Sequence, residues 1–244
     1  MEEHSVIRPR FPELSKKPGT QHRYFSPGSP QLSRDKITKL LLNQNLWQFP
    51  SIVLPAILFR EGIRRQLFNG QTTIPLGHKL SIDSRIREFK ELIAPLLEAI
   101  GCPYDFTAKV WQMERSQYRL ETSLYAGRSK FSNKDMKRFG NEMHFPTCCI
   151  RQYEKNFSAG TPPSLQFDSR LRYFPEESLQ AMTELAYLLH VPCSPFCQDT
   201  FTQIRGYHDL TRRLYPAVAE KFEPIILESI TDSVYPKSSP ELEQ

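Results

Sequence analysis

The chain has 244 residues, enough for one large domain or two small ones with a core of ordinary size. Its 39% hydrophobic content fits a folded protein, and its formal charge of +5 is spread unevenly. The longest apolar runs, such as Ser51–Phe59, are interrupted by Pro55 and fall far short of the about 20 residues needed to cross a bilayer, so no membrane span is expected. Five cysteines, with Cys148 and Cys149 adjacent, and an N-terminus without an apolar signal core predict free thiols in an intracellular setting, the cytoplasm with its nucleoid or the nucleus.

In chain order, residues 1–30 carry Pro9, Pro12, Pro18, Pro27 and Pro30 without sustained periodicity and are expected to be a disordered tail. Residues 31–103 read as a helical region. Helical spacing begins after Ser33 with Ile37, Leu40, Leu41 and Trp47. A second helix is expected from Pro55 through Ile63 and Leu67 to Gly70, and a third from about Asp83 to Gly101, kinked or broken at Pro95. At Phe106 the period changes to two. Phe106–Trp111 and Tyr118–Leu124 alternate apolar with polar residues on either side of a turn at Glu114, Arg115, Ser116 and Gln117, which predicts a β-hairpin.

Residues 104–158 form a basic region, in which the hairpin is followed by helical spacing after Gly127. Residues 159–234 form an acidic helical region, with one helix opened by Pro175 and another by Pro216 that Pro224 should bend or split; 235–244 read as a second tail. The fold class expected is mainly α: a helical domain with a small central β-hairpin and a helix-turn-helix, between flexible N- and C-terminal tails.

The stretch Ala108–Phe157 holds ten basic residues against five acidic ones and interleaves them with Trp111, Tyr118, Tyr125, Phe131, Phe139 and Tyr153. A basic surface with aromatics is the electrostatic footprint of nucleic-acid binding, and a solvated basic face gives the same pattern. The C-terminal third is acidic by five charges, which fits a protein partner or a fold-back onto the basic centre.

Within the basic stretch, Ser132 or Asn133 can cap a helix with Met136, Phe139, Gly140 and Met143 on one face and Lys134, Lys137 and Arg138 on the other. His144, Phe145 and Pro146 turn the chain, and Thr147 can cap a second helix with Cys149, Ile150, Tyr153 and Phe157 inward and Cys148, Arg151, Gln152 and Lys155 outward. This pattern resembles a helix-turn-helix, and the run Ile150–Lys155 is similar to the recognition helix of MerR-type regulators. The resemblance implies that the second helix enters the major groove of duplex DNA, with Arg151 on guanine or phosphate, Gln152 on adenine and Lys155 on phosphate. Lys109, Arg115 and Arg119 of the hairpin would reach phosphates as a wing. Gly140 lies within the first helix, whereas the motif usually places its glycine in the turn.

His190, Cys193, Cys197 and His208 offer the ligand chemistry of a zinc site, but their spacing is remote from the familiar zinc patterns, so no metal and no cofactor is assigned. The chain lacks a glycine-rich phosphate loop, GxSxG, HExxH and the histidine–arginine spacing of a tyrosine recombinase, which leans the reading away from an enzyme. The function expected is DNA binding, in transcription regulation or in maintenance of a replicon or mobile element. The alternative is a non-catalytic adaptor or assembly subunit that meets protein partners through the acidic C-terminal third or through the apolar helix from Pro175 to His190.

Overall fold

The hairpin expected from the alternation is present in the computed structural model, which describes residues 20–28, 31–76, 86–112, 118–128, 136–158, 167 and 169–236. Strands β3 (Tyr104–Gln112) and β4 (Tyr118–Gly127) pair antiparallel, with Phe106 opposite Leu124 and Lys109 opposite Glu121. Two further strands extend them. β1 (Thr20–Ser26) pairs with β3 and β2 (Gln66–Leu76) with β4, giving an antiparallel sheet in the order β1-β3-β4-β2.

Both flanking strands correct the sequence reading. β1 lies inside the segment expected as a tail, where its prolines hid a run held by aromatic stacking. Tyr24 pairs with Phe106 in register and stacks on it at 5.9 Å, and Phe89 stacks on Phe106 at 3.8 Å. β2 replaces the second half of the helix expected from Pro55 to Gly70. That helix, α2, spans Val53–Arg60 and stops at Gly62, whose φ of +76° suits a residue without a Cβ. Because Val53–Phe59 are all buried, α2 is apolar all round and lies in the core.

Before it, α1 (Arg34–Leu41) buries Ile37 and Leu41, and Trp47 falls in a separate 3₁₀ turn, Gln44–Gln48. The kink expected at Pro95 takes the form of a π-turn, Phe89–Ile93, running into α3 (Ala94–Ala99). Proline has no N–H to return to the preceding turn, and a widened turn takes up the mismatch.

α4 (Met136–Glu142) and α5 (Thr147–Ser158) form the helical pair, and α6 (Glu176–Ala181) is followed by a 3₁₀ turn, Thr183–Tyr187. Two long helices close the chain: α7 (Gln198–Leu214) and α8 (Pro216–Val234), joined by Tyr215 alone. α8 runs unbroken through Pro224, so the helix is not split there. One core cluster joins residues from Ile37 through Phe106 to Val234, so the sheet and the C-terminal helices share an interior. The protein is therefore mainly α with a small antiparallel sheet. No helix among the described residues is long and apolar enough to cross a membrane.

Candidate functional site

The turn between α4 and α5 is closed by the backbone of His144. Its φ is +61°, its N–H bonds to the Asn141 carbonyl at 3.0 Å, and the Phe145 N–H bonds to the Gly140 carbonyl at 2.9 Å. These two bonds are the Schellman ending of a helix, and the edge-on contact of Phe145 with Phe139 at 6.3 Å supplies the apolar contact that accompanies it. His144 fills the left-handed position usually given to glycine. It is held there by Tyr207, 3.1 Å from its Nδ1, and by the Gln203 amide, which donates to its carbonyl.

Gly140 has a different task. A Cβ there would fall 2.6 Å from Ile150 Cγ1, so the absence of a side chain is what allows α4 to press against α5. Beneath the turn, the buried Arg64 sits 5.6 Å from the centre of the Phe145 ring and donates to Met143 Sδ at 3.0 Å. Burial brings its guanidinium down to about 10. Between the pair and residues 189–191 lies an apolar cavity of about 290 Å³ lined by Phe139, Met143, Ile150, Tyr153 and Leu189.

On α5, Ile150 is buried and Tyr153 half-buried, while Arg151 and Lys155 are exposed. Gln152 is only half exposed, and its amide donates to Asn156 Oδ1 at 2.9 Å. Lys137 and Arg138 are exposed on α4. The helical pair meets the sheet where β2 begins and β4 ends, through Arg65, Glu142 and Arg128. Lys109 and Arg119 stand toward the opposite end, Arg119 about 30 Å from Arg128 along the strand. Lys134 and Arg115 lie outside the described residues.

The second centre is one that sequence reasoning assembled from the wrong partners. His208 faces Asp209 at 3.0 Å and Glu223 at 3.8 Å, away from any cysteine pair, and His190 bonds to Thr200. Cys193 and Cys197 instead meet Cys148 and Cys149, and the four sulfur atoms all lie within 4.8 Å of one another. Cys148 and Cys149 are 3.8 Å apart at Sγ, Cys148 and Cys197 3.6 Å, Cys149 and Cys197 3.7 Å. All are free thiols, far beyond the about 2.05 Å of a disulfide. The adjacency of Cys148 and Cys149 and the three-residue gap of Cys193 and Cys197 were the available signal: two close pairs, each on one turn of chain.

Around the sulfurs the polar contacts are specific. The Cys193 N–H donates to Cys149 Sγ at 3.3 Å; Thr200 Oγ1 lies 3.3 Å from Cys149 Sγ and 3.0 Å from His190 Nε2; Asp199 accepts from Cys148 at 3.4 Å. Burial opposes ionisation of Cys197, but hydrogen bonds from Thr200, Cys193 and Cys148 bring it down to about 7. Burial pushes the Cys149 thiol up to about 12 and the Cys148 thiol up as well. His190 is kept neutral by burial and by the charge of Arg64, which lower it to about 4.

Comparison of the chain with known protein families, with curated proteins and with solved structures finds no match.

Proposed function

We propose that the protein binds duplex DNA through α4 and α5, with α5 in the major groove, in an intracellular role in transcription regulation or in maintenance of a replicon or mobile element. The observation that carries the reading is the disposition of α5. It buries Ile150 against Gly140 across a tight, backbone-closed turn and turns Arg151 and Lys155 outward on one surface. Arg151 takes the base-reading place, Lys155, Lys137 and Arg138 the phosphates, and Gln152 reads adenine only after leaving Asn156. Lys109 and Arg119 contact backbone farther along the duplex.

Binding of labelled duplex at several salt concentrations tests this. With about five phosphate contacts, the logarithm of affinity falls against the logarithm of salt with a slope of about −4 to −5. Arg151→Ala costs about 1 to 3 kcal/mol and relaxes preference at one base pair, whereas Lys137→Ala weakens all sequences alike. A flat salt response, or an Arg151→Ala protein that binds as the parent does, refutes the reading.

A second reading, an adaptor that meets protein partners through the acidic C-terminal third, rests on one observation. Tyr173 and Phe196 are 65% and 59% exposed and stack edge-on at 5.0 Å, an aromatic pair placed in water. The segment first expected at that interface contributes less, since Leu179 and Leu185 are buried and Met182 and Leu189 pack against the same core.

A further inference from the structure

We propose that Cys148, Cys149, Cys193 and Cys197 bind one zinc ion as a four-thiolate structural site that fastens the start of α5 to the start of α7. Zinc holds thiolates at about 2.3 Å in a tetrahedron, which sets its sulfurs about 3.8 Å apart. The three sulfur separations of 3.6–3.8 Å match that edge, and the fourth sulfur lies within the same 4.8 Å sphere. Unbonded thiols have no reason to gather so closely: packing alone places apolar side chains there, and a disulfide joins only two. A sulfide-bridged iron cluster interposes several atoms between its thiolates and requires wider spacing.

The surroundings answer the charge. Four thiols lose four protons to bind one divalent ion, leaving a centre of charge −2. Cys148 and Cys149 stand in the first turn of the twelve-residue α5, and Cys197 caps the seventeen-residue α7, so two positive helix ends converge on the sulfurs. The Cys193 N–H already points at Cys149 Sγ, and Thr200, steadied by neutral His190, forms the outer layer that orients metal ligands. Asp199 beside Cys148 is a contact of unfavourable sign once the thiol ionises. The site stands independently of the duplex-binding reading.

Protein purified without chelator under reducing conditions tests the proposal by elemental analysis. The expected result is about one zinc per chain, the four cluster thiols unreactive until a chelator is added, and, with cobalt(II) in its place, the d–d and charge-transfer absorption of a tetrahedral thiolate centre. Cys197→Ser loses the ion, and Cys102→Ala, outside the cluster, keeps it. Less than roughly a tenth of an equivalent after incubation with zinc and desalting overturns the proposal. So does iron in place of zinc, or a disulfide within the cluster of reduced, zinc-treated protein. Should Cys197→Ser fail to fold, the metal content and thiol count of the unaltered chain decide.

Discussion

A single missing methyl group sets how closely α4 meets α5. Gly140→Ala would place a Cβ 2.6–2.7 Å from Ile150 Cγ1 and Cδ1, so the buried Ile150 must shift, and the space open to it is the apolar cavity it lines. The helix gains about 1 kcal/mol from replacing glycine, and overpacking costs about 1 to 3 kcal/mol, so the substitution is expected to destabilise. Urea unfolding checks it, together with Ile150→Ala, which removes both the Cγ1 and the Cδ1 in the way. The double variant should recover at least about 0.5 kcal/mol relative to additivity, and strict additivity would show that the contact does not limit the pair. The Gly140 residue also shows what one dimension hides. Its place inside a helix was readable, but the reason for it was Ile150, ten positions on. The left-handed turn fell to a histidine because Tyr207 and Gln203, both on α7, hold that residue.

At the scale of elements, α8 carries a defect in its middle. Pro224 lies exposed within a continuous helix and deprives the Glu220 carbonyl of its partner, while Phe222, Leu227 and Ile230 on the inner face keep the helix continuous. Pro224→Ala is therefore expected to stabilise the fold by about 1 to 3 kcal/mol, seen as a higher unfolding midpoint with unchanged secondary structure. A lower midpoint would mean that the ring itself packs usefully. The same balance explains which elements were legible in the sequence. The hairpin, α1, α4 and α5 follow from local period and turn residues, as do the inward Ile150 and outward Arg151. β1, β2 and the continuity of α8 were not legible, because each is decided by partners distant in sequence: Phe106 for Tyr24, the run Tyr118–Gly127 for β2, and the buried face of α8 against its own proline. The candidate metal centre was half legible for the same reason. Cys193 and Cys197 were singled out, but only folding brings Cys148 and Cys149 to them.

For the whole molecule, Glu61 is a fastening point. At the end of α2 its carboxylate accepts from Arg34 of α1 at 2.9 Å, from Arg60 at 3.2 Å and from the Tyr215 hydroxyl at 2.7 Å, uniting both halves of the chain. Burial alone would raise its pKa, but the bonds from Arg34 and Tyr215 and the charge of Arg60 lower it. Its contribution is therefore present above the ordinary carboxylate range and disappears as pH falls through the lowered value. Glu61→Ala leaves the buried Tyr215 hydroxyl unanswered and should cost about 1 to 3 kcal/mol, and the parent's loss of stability as pH falls from the ordinary carboxylate range through the lowered value should become smaller in the variant. An unchanged unfolding midpoint would place the join elsewhere. The same contact has a consequence for the order in which the chain is made. The sheet is complete once Gly127 has emerged, but Glu61 must await a hydroxyl 154 residues later. At ribosomal speeds of about 5 to 20 residues per second, that interval is about 8 to 30 s. A nascent chain thus holds every strand of the sheet while its central carboxylate still lacks its last partner, and any fragment ending before Tyr215 lacks that bond altogether.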